Sequence, residues 1–197
     1  MKPFSNEEVQ LIIGSADGAL KNYLGIAFYT GMRSGEILGL MHQDITEDTI
    51  SIKRSISKGK VTTPKTQGSI RTIPMFEKVR PFVEDQMKRN QSLYLFDYEA
   101  HFISDISVLR KRKWHKLLTE LEIEYRKIYC TRHTFITAML NSNQYKLLTV
   151  AKIVGHSSIK TLMTSYAGFI KDDHLKINVE IDIFRESSVK VSKIMKI

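Results

Sequence analysis

The apolar residues of this chain depart from helical spacing in one stretch, and that departure limits the folds open to it. From 45 to 74 they alternate with polar ones: Thr49-Ile50-Ser51-Ile52-Lys53, a Lys58-Gly59-Lys60 turn, Val61-Thr62-Thr63, then Ile70-Arg71-Thr72-Ile73. Alternation puts successive side chains on opposite faces, so the stretch predicts a small antiparallel sheet of three strands. Pro64 falls at a strand end, where its missing N–H does little harm. On both sides the spacing is helical. Ser5 and Glu8 have the spacing of a capping box, and Leu11, Ile12, Leu20, Leu24 and Phe28 carry helices to Thr30. Gly31 breaks that pattern and a short helix, 36–40, follows. Beyond the sheet the helical segments are 76–90, 104–121, 133–142 and 147–154. Gly155 ends the last of these, and Ser157 or Ser158 caps a further helix through Tyr166. The expected fold class is mainly α with a small three-stranded antiparallel sheet, an α+β arrangement.

With 42% hydrophobic residues among 197, the chain can bury a substantial core. No apolar run approaches the roughly 20 residues that span a bilayer, and the N-terminus lacks the apolar stretch of a signal peptide. A single cysteine, Cys130, excludes an intramolecular disulfide and fits a reducing, cytoplasmic setting. The six histidines and that cysteine show no zinc spacing, so neither metal nor cofactor is expected. The formal net charge is +9, which favours an anionic partner. Between Lys53 and Arg80 stand eight Lys or Arg residues against one acid, Glu77. A second cluster is Arg110-Lys111-Arg112-Lys113-Trp114-His115-Lys116. Either cluster alone reads equally well as a solvated face; two in one small domain point to a phosphate backbone.

Three separated stretches hold residues suited to one task. In Thr30-Gly31-Met32-Arg33-Ser34-Gly35-Glu36, glycines flank Arg33 and allow a bend that aims its guanidinium, while Glu36 can pair with it. Taken alone, Arg-x-x-Glu is more often a surface ion pair. In Tyr129-Cys130-Thr131-Arg132-His133-Thr134-Phe135, Arg132 precedes an apolar helix, so guanidinium and helix N-terminus could face one anion. In the third, Gly155-His156-Ser157-Ser158 is followed by Tyr166, ten residues after the histidine. A tyrosine on an apolar helix is more commonly a half-buried core residue.

Together these stretches resemble the tyrosine recombinases of the phage-integrase family, whose signatures occur in this order. The resemblance runs from about Pro3 to Tyr166. A fourth stretch, Thr63-Pro64-Lys65-Thr66-Gln67-Gly68-Ser69-Ile70-Arg71-Thr72-Ile73-Pro74, looks like the family's hairpin that delivers a catalytic lysine. By that match Lys65 is the lysine, with Lys58 and Lys60 of the preceding turn as candidates. The resemblance implies a catalytic domain over 1–174 and a tail, 175–197, that either docks on a neighbouring subunit or packs on its own domain. The family's N-terminal core-binding domain has no counterpart in this sequence. It also implies double-stranded DNA as partner, a monomer when free, a homo-tetramer on paired sites, and no membrane.

The implied chemistry explains the residue types. A phosphodiester repels nucleophiles, and negative charge builds further at its five-coordinate transition state. Arg33 and Arg132 would neutralise that charge and His156 would add a hydrogen bond. Tyr166 would attack phosphorus to give a 3′-phosphotyrosine, Lys65 would protonate the departing 5′-oxygen, and Glu36 would orient Arg33. Lys58, Lys60, Arg110, Lys111, Arg112 and Lys113 would contact DNA. One position departs from the family: Tyr129 stands where most members carry histidine. A phenol has an unperturbed pKa near 10 and is no general base at neutral pH. Either His133 substitutes or Tyr129 is structural. Two other functions fit the same residues, a type IB-like topoisomerase and a non-catalytic DNA-binding module of the same fold.

Overall fold

A computed structural model describes residues 2–62, 70–98, 101–102, 113–156 and 158–170. Helix α1 (Asn6–Ser15) begins at the expected capping box: Ser5 Oγ accepts from the Glu8 N–H, and Glu8 Oε2 accepts from the Ser5 N–H. Helix α2 (Gly18–Thr30) is apolar nearly all round, with nine of its residues buried, and forms the centre of the molecule. Gly31 stops it in the left-handed conformation at φ 62°. A Cβ there would also lie 2.3 Å from Phe135, so both backbone and packing demand glycine. The short helix α3 is Ser34–Leu38 rather than 36–40, because Glu36 closes its first turn onto the Arg33 N–H.

The chain then leaves helix as its alternation predicts, but the strands do not form one three-stranded sheet. Strand β1 (Thr49–Ile52) pairs antiparallel with β4 (Arg71–Pro74), while β2 (Ser55–Ser57) pairs with β3 (Lys60–Thr62) as a separate hairpin. The break falls at Lys53-Arg54. Arg54 turns inward to the buried Asp44 carboxylate and the Gly39 carbonyl, and that pulls the chain out of the first ladder. Lys58 and Gly59, at φ 49° and 74°, supply two left-handed residues, the turn that closes a two-residue hairpin. A third ladder, β5 (Asp97–Tyr98) with β6 (His101–Phe102), has no counterpart in the sequence reading.

Helix α4 (Arg80–Arg89) starts four residues later than expected, with Pro81 in its first turn. Helix α5 (His115–Glu120) is the described part of the segment expected over 104–121. Helix α6 (Cys130–Asn141) begins three residues early because Lys127, Ile128 and Tyr129 carbonyls accept from the next turn's amides. Helix α7 (Leu147–Val154) has the expected bounds, and α8 (Ile159–Tyr166) follows it. Helices α1, α4 and α6 pack on α2. Their shared core holds Ile12, Leu24, Ile26, Val83 and Ile136, with Trp114 sealing one side against Phe4. Among the described residues no helix is long and apolar enough to cross a membrane.

Candidate active site

Two helix ends, those of α2 and α7, meet at one place, and both finish on a left-handed glycine. A helix C-terminus presents carbonyls that have no intrahelical donor and carries partial negative charge. Here arginines fill that role. Three successive carbonyls at the end of α7 each accept from a different guanidinium: Ile153 from Arg71 Nε at 2.7 Å, Val154 from Arg132 Nη2 at 2.8 Å, and Gly155 from Arg33 Nη2 at 3.2 Å. Arg132 Nη1 also donates to the Gly31 carbonyl at the end of α2, at 2.7 Å. The two arginines singled out in sequence therefore stand side by side, although 99 positions separate them.

Their environments differ. Arg33 is partly exposed and pairs with Glu36 at 2.7 Å. Arg132 is only 1% exposed, its Nε has no hydrogen-bond partner, and its two terminal nitrogens are spent on carbonyls. Burial, and then the charge of Arg33, pull its pKa down to about 10. It still carries its full charge at neutral pH. Arg132 lies within the first turn of α6 and not ahead of it, so its position is set by the helix itself.

His156 follows Gly155 directly and is half-buried. Burial and the charges of Arg132 and Arg33 lower its pKa to about 4, which leaves a neutral imidazole at physiological pH. Tyr166 and Leu162, one turn apart, form the buried face of α8. Burial raises the Tyr166 phenol to about 12, against the opposing pull of Arg132. His133 lies against it, with ring centroids 5.2 Å apart and planes at 38°. Tyr129 also meets His133, edge-on at 5.4 Å. Burial and Arg132 also hold His133 below its ordinary pKa. The position that departs from the family pattern thus joins a Tyr129–His133–Tyr166 row of rings.

Residues 3–169 match the phage integrase family. The chain belongs to that family. A tyrosine recombinase XerC-like protein of Caldanaerobacter subterraneus is 29% identical over 201 residues, covering 86% of this chain and 51% of that protein. The ICEBs1 integrase of Bacillus subtilis is 25% identical over 166 residues, covering 74% and 44%. The chain thus spans about half the length of the curated relatives it matches. Among solved structures, the Tn1549 transposon integrase in complex with a circular-intermediate DNA superposes with a TM-score of 0.73 at 18% identity, over 86% of this chain and 61% of that one. The catalytic domain of bacteriophage HP1 integrase gives 0.62 at 20% identity, over 89% and 91%. These likenesses establish the fold, a mainly helical domain with small antiparallel ladders.

Of the residues named from sequence, Arg33, Glu36, Arg132, His133, His156 and Tyr166 are brought together in this phage-integrase domain. Lys58 and Lys60 are exposed on the β2–β3 hairpin, and Lys113 is exposed just before α5. Lys65 lies outside the described residues, as do Arg110, Lys111, Arg112 and the tail from 175 to 197. Arg71 was not among the named site residues. Its signal was available: strand alternation puts it on the face of Ile73, which is buried, so a cation there needs an internal partner. That partner is Glu36, at 2.9 and 3.0 Å. Burial alone would raise the Glu36 carboxyl, but the hydrogen bonds and charge of Arg71, joined by Arg33, hold it below its ordinary range.

Proposed function

We propose that this chain carries the strand-cleaving chemistry of a site-specific DNA recombinase, with Tyr166 as nucleophile. The observation that carries the reading is the convergence of Arg33 and Arg132 on the end of α7, beside His156 and Tyr166. Arg132, which meets carbonyls instead of a carboxylate, and Arg33, whose Glu36 is shared with Arg71, bind the non-bridging oxygens of a phosphodiester and stabilise the charge that grows in the transition state. Neutral His156 donates a further hydrogen bond. Tyr166 Oη forms a bond to phosphorus and gives up its proton, for which neutral His133 is the acceptor lying against its ring. The bond from phosphorus to the 5′-oxygen breaks, and that oxygen takes a proton from Lys65. The products are a 3′-phosphotyrosine and a free 5′-hydroxyl. Reversal with another strand's hydroxyl rejoins DNA without an external energy source, because the bond energy is kept in the phosphotyrosine.

The substrate is double-stranded DNA, with Lys58, Lys60, Lys113 and the 110–112 cluster supplying phosphate contacts in the cytoplasm. Exchange between two duplexes needs four active sites, so the working assembly is a homo-tetramer formed on DNA. The relatives' solved complexes with DNA and their recombinase names support this partner and this reaction class. The test is covalent trapping on a pool of nicked random-sequence duplexes. Cleavage near the nick releases a short fragment, so no 5′-hydroxyl remains to reverse the reaction. A complex that survives denaturing electrophoresis with the natural chain and vanishes in Tyr166→Phe is the expected result. No such complex with the natural chain on any duplex of the pool would overturn the reading.

A further inference from the structure

We propose that Arg71 is a positioning residue for strand cleavage, holding Arg33 in its reactive orientation through Glu36. The inference rests on the recombinase reading of the site. Arg71 cannot serve as a contact to DNA in this arrangement: its side chain is only 6% exposed, and all three of its nitrogens are engaged inside the protein.

The capacity of one carboxylate sets this arrangement. An ionised glutamate offers about four lone-pair sites. Glu36 fills four: Oε1 accepts from Arg33 Nη1 and Arg71 Nη1, and Oε2 accepts from the Arg33 backbone N–H and Arg71 Nη2. With the carboxylate saturated, Arg33 is bound to it by one guanidinium nitrogen, and its other terminal nitrogen, Nη2, goes to the Gly155 carbonyl. Remove Arg71 and two acceptor sites open on a carboxylate that is 2% exposed. Arg33 Nη2, on the guanidinium already bound through Nη1, is a donor able to fill one. A bidentate Arg33–Glu36 pair is the stronger geometry, so the guanidinium would turn inward and leave both Gly155 and the phosphate position. Gly155 itself is packed on this clamp, since a Cβ there would lie 2.8 Å from Arg71 Nη1. Arg71 thus competes with Arg33 for Glu36, and that competition keeps Arg33 available to substrate.

The decisive experiment is a double-mutant cycle on single-turnover cleavage, using nicked duplexes recovered by trapping and the full chain. R71A is expected to slow cleavage by about 10²-fold, the size of effect that a misplacement near 1 Å produces, with DNA affinity little changed. R33A/R71A is expected to cleave no more slowly than R33A, because Arg71 acts through Arg33. A duplex with a neutral methylphosphonate at the scissile position removes the charge that Arg33 meets, so the R71A penalty should shrink there. R71K keeps the charge but not the fork, and is expected to recover little of the lost rate. Folded R71A that cleaves at the wild-type rate, or a loss that adds to that of R33A, overturns the inference. If R71A does not fold, R71K in the same cycle decides by the same criteria. Absence of any covalent complex with the natural chain fails the recombinase reading instead, and removes this role with it.

Discussion

Two arginines six positions apart, Arg126 and Arg132, are both buried, and the protein treats them in opposite ways. Arg126 is closed off. Its terminal nitrogens reach both Glu8 carboxylate oxygens and the Pro3 carbonyl, and its guanidinium lies 4.0 Å over the Phe4 ring. Its charge is neutralised within the protein, and the effect is to staple the N-terminal segment to the chain ahead of α6. Among the described residues Arg132 has no carboxylate on its guanidinium: it meets two carbonyls, its Nε is left unpaired, and the neighbouring charge that acts on it most is another arginine, Arg33. A buried cation without a counter-ion is costly to keep. The difference suggests, on the proposed function, how to separate scaffold from site here: the neutralised Arg126 holds structure, and the uncompensated Arg132 is the one left to meet an anion from outside.

That contrast can be broken by exchanging each arginine for a neutral side chain of similar length. Arg132→Met is expected to lower the cleavage rate about 10³-fold, the upper range for removing a donor from a charge-stabilising site. Its stability should fall by no more than about 1 kcal/mol, because two carbonyl hydrogen bonds are lost while a buried, uncompensated cation is removed. Arg126→Met is expected to do the reverse. Unfolding in denaturant should show a loss of about 3 kcal/mol, at the lower end for breaking a buried pair because Glu8 keeps some contact with water. Cleavage per folded molecule should be unchanged. Equal stability losses for both variants would erase the distinction.

A smaller effect sharpens it. Burial and the charges of Arg132 and Arg33 lower His156 to about 4 from an ordinary 6.5. Between those values the unfolded chain binds the proton and the folded chain does not, so stability rises with pH across that window. The contribution is fully present above about 6.5 and is lost as pH falls toward 4. His133, shifted in the same direction, adds to it. Melting temperatures measured from pH 7.5 to 4.5 should therefore drop less steeply in His156→Asn than in the natural chain. An unchanged slope would mean that the arginines do not act on this imidazole.

Much of this was legible in the sequence, and the reasons differ by residue. Capping chemistry is local, so Ser5 with Glu8 marked the start of α1, and Gly31 and Gly155 marked the ends of α2 and α7. The alternation at 49–53 and 70–73 announced strands for the same reason. Which strand pairs with which was not local. It depends on Arg54 turning toward Asp44, a contact made through tertiary packing, and the expected three-stranded sheet became separate ladders. Arg33, Arg132, His156 and Tyr166 could be named from a resemblance because their motifs are short and ordered. Arg71 lay in the fourth stretch, but that match pointed to a lysine, and the partners of Arg71 become visible only where β4 meets α3 and the end of α7.

The most direct test of the account is the chemical identity of the covalent link. The trapped protein–DNA complex is digested with nuclease and trypsin, and the peptide that retains a nucleotide is sequenced by mass spectrometry. Cleavage after Lys160 and Lys171 gives the peptide 161–171, in which Tyr166 is the sole tyrosine. The account predicts a 3′-linked nucleotide on Tyr166 in that peptide. A nucleotide on the peptide 128–132, which holds Tyr129, or on any other residue would contradict it.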